Sequence, residues 1–379
     1  MKPTPLPLQA AAQESSLTDF SLYIHVPFCK GKCRYCDFYS LAPDKADIDS
    51  YTERVQEELT KWGARNVRPI DTLYLGGGTP SLLGGRNIAA LLETARRVFG
   101  IRENAEITLE CNPGDDLYET LCAAKAAGVN RLSVGVQSGN DRMLKMLGRR
   151  HSTLDAQNTV ALARGLGFDN VSLDLMIGLP ESDIESVRQS IDFVCSLSPE
   201  HISVYMLKIE PNTPFGISPP PLPDEDAVAD QYLFTVDYLE KRGYAQYEIS
   251  NFCRDGRHSR HNKNYWLGGE YLGIGPAAHS YYGGRRFFYP RDLSAFMKGT
   301  EIIPDGEGGT REEFMMLRLR LCDGIDIEEY EKRFGPLPEK TKSTAERFEK
   351  MGLICAKNNR IRLTKQGFLV SNAVIGELI

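Results

Sequence analysis

Short apolar, β-rich runs recur through the first half of the chain and alternate with amphipathic stretches. The runs are Ser21–Val26, Thr72–Leu75, Glu106–Leu109, Arg131–Val136, Val171–Ile177 and His201–Met206. Helical periodicity covers 47–63, 86–98, 115–127, 153–166 and 183–197, and a further helix over 224–241 follows the sixth run. Strands alternating with helices of this length predict parallel strands joined by crossover helices. Six β/α units fall short of the eight of a closed barrel. The expected fold is therefore α/β, an open six-unit (β/α) partial barrel over 21–241, with a doubly wound open sheet as the structural alternative. In both, function collects at the C-terminal ends of the strands.

The pattern changes elsewhere. Residues 1–20 are rich in Pro, Ala and Gln and read as a loose tail. Residues 242–309 are rich in glycine and aromatics and read as an extension that closes the barrel mouth. Over 310–379, helical patterns precede a small hairpin, in which Leu353–Ala356 and Arg360–Thr364 flank Lys357, Asn358 and Asn359. That pattern is winged-helix-like. A net charge of −6 across 379 residues favours a packing or docking role for it over nucleic-acid binding.

Nine cysteines, an odd number, in a chain this long point to a reduced, cytoplasmic setting. No run of about 18 apolar residues is present, so no transmembrane segment is expected, while peripheral contact with a membrane stays open.

One segment concentrates the chemistry: His25-Val26-Pro27-Phe28-Cys29-Lys30-Gly31-Lys32-Cys33-Arg34-Tyr35-Cys36-Asp37-Phe38. Soft thiolates at C-x₃-C-x₂-C spacing suit an iron–sulfur cluster or zinc. Lys30, Lys32 and Arg34 are expected to lower the thiol pKa values. Three readings compete. A [4Fe–4S] cluster on Cys29, Cys33 and Cys36 would keep one iron open for an exchangeable ligand. Structural zinc would need a fourth ligand, His25 or Asp37. A redox pair, Cys33 and Cys36, would leave Cys29 idle. Cys111, at the end of the third run, is a further candidate ligand.

With its aromatic Tyr35 before the third cysteine, the motif resembles the radical-SAM superfamily. Leu73-Tyr74-Leu75-Gly76-Gly77-Gly78-Thr79-Pro80 resembles the glycine-rich segment with which that superfamily binds S-adenosylmethionine (SAM). His25–Cys29, Gly76–Pro80, Val134–Ser138 and Asp174–Pro180 resemble its coproporphyrinogen-oxidase-like branch, from about residue 21 to the C-terminus. The resemblance implies a [4Fe–4S] cluster and SAM. It places Tyr23 and Tyr35 beside the cluster and Gly77, Gly78, Thr79 and Glu110 against SAM. Gln137, Arg149 and Asp174 match positions used for SAM or for a second SAM.

That branch contains haem chaperones and an oxygen-independent coproporphyrinogen III dehydrogenase, which uses a 5′-deoxyadenosyl radical. Phe38 stands where the dehydrogenases carry an additional cysteine, and only about 20 residues precede the first strand. His261-Asn262-Lys263-Asn264-Tyr265-Trp266 matches the H-N-x-x-Y-W motif that the resemblance associates with haem binding. The chaperone reading follows, with the dehydrogenase as the alternative. It makes His261, Tyr265 and Trp266 the haem candidates, with His258 and His279 as rival ligands. Haem is then cargo for acceptor haemoproteins, which the resemblance implies to be respiratory and membrane-associated. No catalytic residue is assigned.

Overall fold

The computed structural model describes residues 20–43, 45–65 and 68–379. The tail expected over 1–20 lies outside them, except for Phe20, which is fully buried.

Six parallel strands stand in sequence order: β1 (Ser21–Val26), β2 (Ile70–Gly77), β3 (Ile101–Cys111), β4 (Arg131–Gln137), β5 (Val171–Ile177) and β6 (His201–Met206). Helices Lys45–Gly63, Gly84–Phe99, Tyr118–Ala127, Thr153–Gly165 and Ile184–Ser196 fill the crossovers. Strand order decides between the two expected architectures. Crossovers between parallel strands are almost always right-handed. An order that never reverses therefore puts every helix on one face, whereas a doubly wound sheet needs a reversal. The partial barrel stands.

The later strands were not expected to join this sheet. They are β7 (Ala245–Gln246), β8 (Asn251–Cys253), β9 (Tyr271–Ile274), β10 (His279–Tyr282), β11 (Arg285–Phe288) and β12 (Ile303–Glu307). The full order is β12-β11-β10-β9-β1-β2-β3-β4-β5-β6-β8-β7. Residues 242–309 thus extend both edges, and β9 adds a seventh parallel strand beside β1.

Side-chain alternation explains why this sheet has a greasy outside and a polar inside. Leu22, Ile24, Leu132, Val134, Leu173 and Leu175 face the helices and are buried in the core. The residues between them, Tyr23, His25, Ser133, Gly135, Asp174 and Met176, line an interior cavity. A period of two sends neighbours to opposite faces, so polar residues inside apolar runs mark the inner wall.

The C-terminal region carries β13 (Ile325–Asp326), β14 (Ile354–Lys357) and β15 (Arg360–Leu363), in the order β13-β15-β14. Asn358 and Asn359 turn the hairpin at φ 55° and 60°, as a two-residue primed turn requires. The region is tied to the barrel. The Cys322 N–H donates to the Tyr247 carbonyl at 3.0 Å, and Lys365 bridges Asp237 and Glu240 at 2.7 and 2.9 Å.

Candidate functional site

The C-terminal ends of the strands open into a cavity of about 970 Å³. Its lining includes all three motif cysteines and every residue expected at SAM: Tyr23, Tyr35, Gly77, Gly78, Thr79, Glu110, Gln137, Arg149 and Asp174. Residues as far apart in sequence as 23 and 174 meet here.

The cysteine loop is pinned at its base. The Cys29 N–H donates to Leu41 O at 2.9 Å, and the Leu41 N–H donates to Pro27 O at 2.8 Å. Phe28 is buried edge-on against Tyr51, with ring centroids 5.2 Å apart. The Tyr51 hydroxyl donates to His25 O at 2.6 Å.

The glycine segment docks onto this loop. The Gly78 N–H donates to Val26 O at 2.8 Å. A methyl group on Gly78 would sit 2.9 Å from the Phe28 carbonyl carbon. At Gly77, φ is 114°, and a methyl group would meet the His25 ring at 2.8 Å. Glycine is needed here for close backbone approach, first to the cysteine loop and only then to a ligand.

The thiols sit in an environment different from the one expected. Lys30 is taken up by Asp115 at 2.7 Å. The cation that touches a thiol is Arg149, whose Nη1 lies 3.5 Å from Cys33 Sγ. It also donates to Asn112 Oδ1, at 2.6 Å, and to Gly135 O. The Thr79 hydroxyl lies 3.5 Å from Cys29 Sγ. Burial raises the Cys36 thiol pKa and outweighs Lys32, so the loop cations do not lower it.

The residues fit a three-cysteine cluster better than the alternatives. His25 uses both ring nitrogens, on the Tyr23 hydroxyl at 3.0 Å and the Tyr39 carbonyl at 3.1 Å. Asp37 is paired with Arg291 at 3.1 Å, which holds its carboxyl below the usual range. Neither is free to complete a zinc site. Burial pushes the Cys111 thiol up to about 12, against its serving as a thiolate ligand. Among the described residues no three Cys, His, Asp or Glu side chains stand close enough to enclose a single ion.

Two buried carboxylates face the cavity. Glu110 accepts from the Tyr74 hydroxyl at 2.8 Å and the Gly77 N–H at 3.0 Å. Burial, with the charge of Asp174, pushes it up to about 7. Asp174 accepts from the Ser133 hydroxyl at 3.3 Å, and burial pushes it up to about 6. Gln137 holds φ at 71°, a strained conformation for a residue with a side chain.

The H-N-x-x-Y-W segment is a short helix, Arg260–Trp266, and it lies elsewhere. Its first turn is capped by Glu106, which accepts from the Arg260 and His261 N–H groups, both at 3.0 Å. His261 is 1% exposed. Its Nδ1 meets the Thr72 hydroxyl at 2.8 Å and its Nε2 the Tyr265 hydroxyl at 2.7 Å. Thr72 pairs with Ser21, the first residue of β1, and with Glu106 of β3, which sets this level at the base of the β1–β2 pair. The helix therefore plugs the barrel floor beneath Tyr23 and Tyr74, and does not close the mouth. Tyr265 reaches the cavity, whereas Trp266 faces a crevice against Phe314 and Leu317. The three haem candidates thus face different surroundings, and both ring nitrogens of His261 are hydrogen-bonded.

Of the rivals, His258 stacks on Tyr247, with ring centroids 4.3 Å apart, away from the cavity. His279 is exposed and lines the cavity. Sequence reasoning passed over Asn112, Ser133, Tyr205, Tyr271, Phe288 and Arg291, which also line it. For Ser133 the available signal was a polar residue at an alternate position of an apolar strand.

Sequence comparison places this cavity in a family. The Radical SAM superfamily matches residues 23–194, and the HemN C-terminal domain matches 310–370. The chain is 35% identical to the heme chaperone HemW of Bacillus subtilis (strain 168) over 95% of its own length and 99% of that protein's. It is 37% identical to the heme chaperone HemW of Escherichia coli (strain K12), over 95% and 98%. The chain belongs to the HemW family. The solved coproporphyrinogen III oxidase HemN of Escherichia coli, a radical SAM enzyme, superposes with a TM-score of 0.83 over 95% of this chain and 90% of that one. At 23% identity, that likeness concerns the fold. Membership of the superfamily implies SAM and a [4Fe–4S] cluster. Among the described residues no helix is long and apolar enough to cross a membrane.

Proposed function

We propose that the protein binds haem in this cavity and hands it to acceptor haemoproteins, with a SAM-coordinated [4Fe–4S] cluster on Cys29, Cys33 and Cys36 acting in the same chamber. The observation that carries the reading is a shared cavity. One wall is the cysteine loop and the strand-end polar residues. The other is aromatic and cationic, from Tyr271, Phe288, Tyr289 and Arg291. At about 970 Å³ it lies near the upper end of the roughly 300–1,000 Å³ range of small-molecule sites.

When bound, the cluster with SAM supplies one-electron reducing chemistry. The chain's own residues orient and shield. Gly77 and Gly78 expose backbone beside the thiols. Arg149 offsets the negative charge that gathers on them. Burial makes Glu110 hold a proton more tightly than an ordinary carboxylate, and it regains charge when an ammonium group such as that of SAM approaches. Gln137 and Asp174 offer further polar contacts. The aromatic wall suits a flat macrocycle.

Phe38 is 67% exposed at the rim, in the position of the cysteine that the dehydrogenase reading requires. The decisive assay incubates the reconstituted protein anaerobically with SAM, reductant and coproporphyrinogen III. We expect no conversion, and expect haem-loaded protein to load an apo-haemoprotein. Robust formation of protoporphyrinogen IX would sink the proposal.

A further inference from the structure

The chain has six histidines, and five of them are committed to the fold. His25 and His261 use both ring nitrogens, as described above. His201 does so on the Ser172 and Tyr247 hydroxyls, at 2.7 and 2.8 Å. His151 is buried, with Nε2 on the Val136 carbonyl at 3.1 Å. His258 lies on Tyr247, with Nδ1 3.4 Å from Lys263 Nζ. His279 differs. Among the described residues its ring has no hydrogen-bond partner, and it projects from β10 into the cavity. It is the register partner of Phe288 on β11. The two rings stack with centroids 4.9 Å apart and an interplanar angle of 23°.

A histidine that binds haem iron needs an accessible ring nitrogen with a free lone pair and a fixed ring orientation. His279 meets both conditions, and the Phe288 face fixes its plane. Cations stand at the same mouth. Lys32 is exposed there and makes no hydrogen bond or ion pair among the described residues. Arg291 stands there too, its guanidinium held by the Asp37 carboxylate through both terminal nitrogens at 3.1 Å and its side chain still 51% exposed. Carboxylate groups are the partners that such cations select.

Resting on the haem-carrier reading above, we propose that His279 is the axial ligand of the haem iron, with Lys32 and Arg291 receiving the propionates, and that His261 is a structural strut. The neutral imidazole donates its lone pair to iron and displaces a water or a weakly held ligand. No electron is transferred.

The test is a hemin titration of the full-length protein followed by absorbance and magnetic circular dichroism. It compares wild type, His279→Ala, His261→Ala and the double variant Lys32→Ala, Arg291→Ala. Wild type should show an imidazole-ligated spectrum. His279→Ala should keep its melting temperature, lose that signature and bind hemin more weakly by on the order of tenfold, the scale for loss of a metal-site group. Added free imidazole should restore the spectrum. The Lys32, Arg291 double variant should weaken binding without changing the ligation spectrum. An unchanged His279→Ala spectrum and affinity would overturn the ligand assignment and leave the haem-carrier reading intact. Failure of wild type to bind hemin would overturn both. A folded His261→Ala protein that alone loses the imidazole signature would also overturn it.

Discussion

Replacing Gly78 by alanine perturbs the cavity at a point where the sterics are defined. The added methyl group falls 2.9 Å from the Phe28 carbonyl carbon and 3.1 Å from its nitrogen. Ordinary contact to such atoms begins near 3.4 Å, and the Phe28 carbonyl oxygen stands closer to the methyl group than either of them, so well over half an ångström must be found. It cannot come from a side chain, because the obstructing atoms are backbone. Nor can Gly78 retreat, since its N–H is bonded to Val26 O. On the other side, Phe28 is 1% exposed and wedged against Tyr51. The displacement must pass into Cys29, the next residue. Overpacking of this kind costs about 1–3 kcal/mol. For a chain of 379 residues that corresponds to a melting-temperature loss of roughly 1–4 °C. The more specific consequence is chemical: one ligand thiol moves, so iron and acid-labile sulfide after anaerobic reconstitution should fall well below wild type. Gly165→Ala is the control. Its methyl group meets nothing within 4 Å, so it should keep both cluster content and stability. A Gly78→Ala protein with wild-type melting temperature and full iron and sulfide would refute the claim that the glycines seat the cysteine loop.

Further expectations follow from the same geometry. Any one of Cys29→Ser, Cys33→Ser or Cys36→Ser should abolish the cluster's visible absorbance and its iron, and Cys111→Ser should not; full iron in Cys29→Ser would exclude it as a ligand. Glu110 is raised to about 7 by burial, so the folded protein holds a proton that the unfolded chain releases nearer its ordinary value. Without SAM, stability should therefore fall as pH rises from about 4.5 to about 7. Glu110→Gln should flatten that slope and raise the melting temperature at about pH 8 relative to wild type, and a parallel pH–melting curve would contradict this. His261→Ala removes two buried hydrogen bonds and opens a void under Tyr74, costing about 2–4 kcal/mol. Urea denaturation measures that loss, and an undiminished midpoint would show that the ring is not a strut.

Much of this molecule was legible in the chain itself. Local periodicity located β1, β5 and β6 to the residue, because an apolar run bounded by polar turns carries its own limits. Spacing brought three thiols onto one short loop, and resemblance tied the glycine segment and the haem-associated motif to a family. What lay beyond sequence was every relation between distant segments. The strands of 242–309 are short and carry little pattern of their own. Their places at both sheet edges come from pairing with β1 and β6, which no local signal records. Charge along the loop misled about Cys36, because burial acts on it more strongly than Lys32 does, and the cation that touches a thiol, Arg149, comes from far along the chain. The histidines make the same point. A motif singled out His261, yet Thr72, Tyr265 and Glu106 draw it into the barrel floor. His279, with no motif around it, is left open at the mouth. Residue type and spacing determined which groups were present; only packing decided which of them kept a free lone pair.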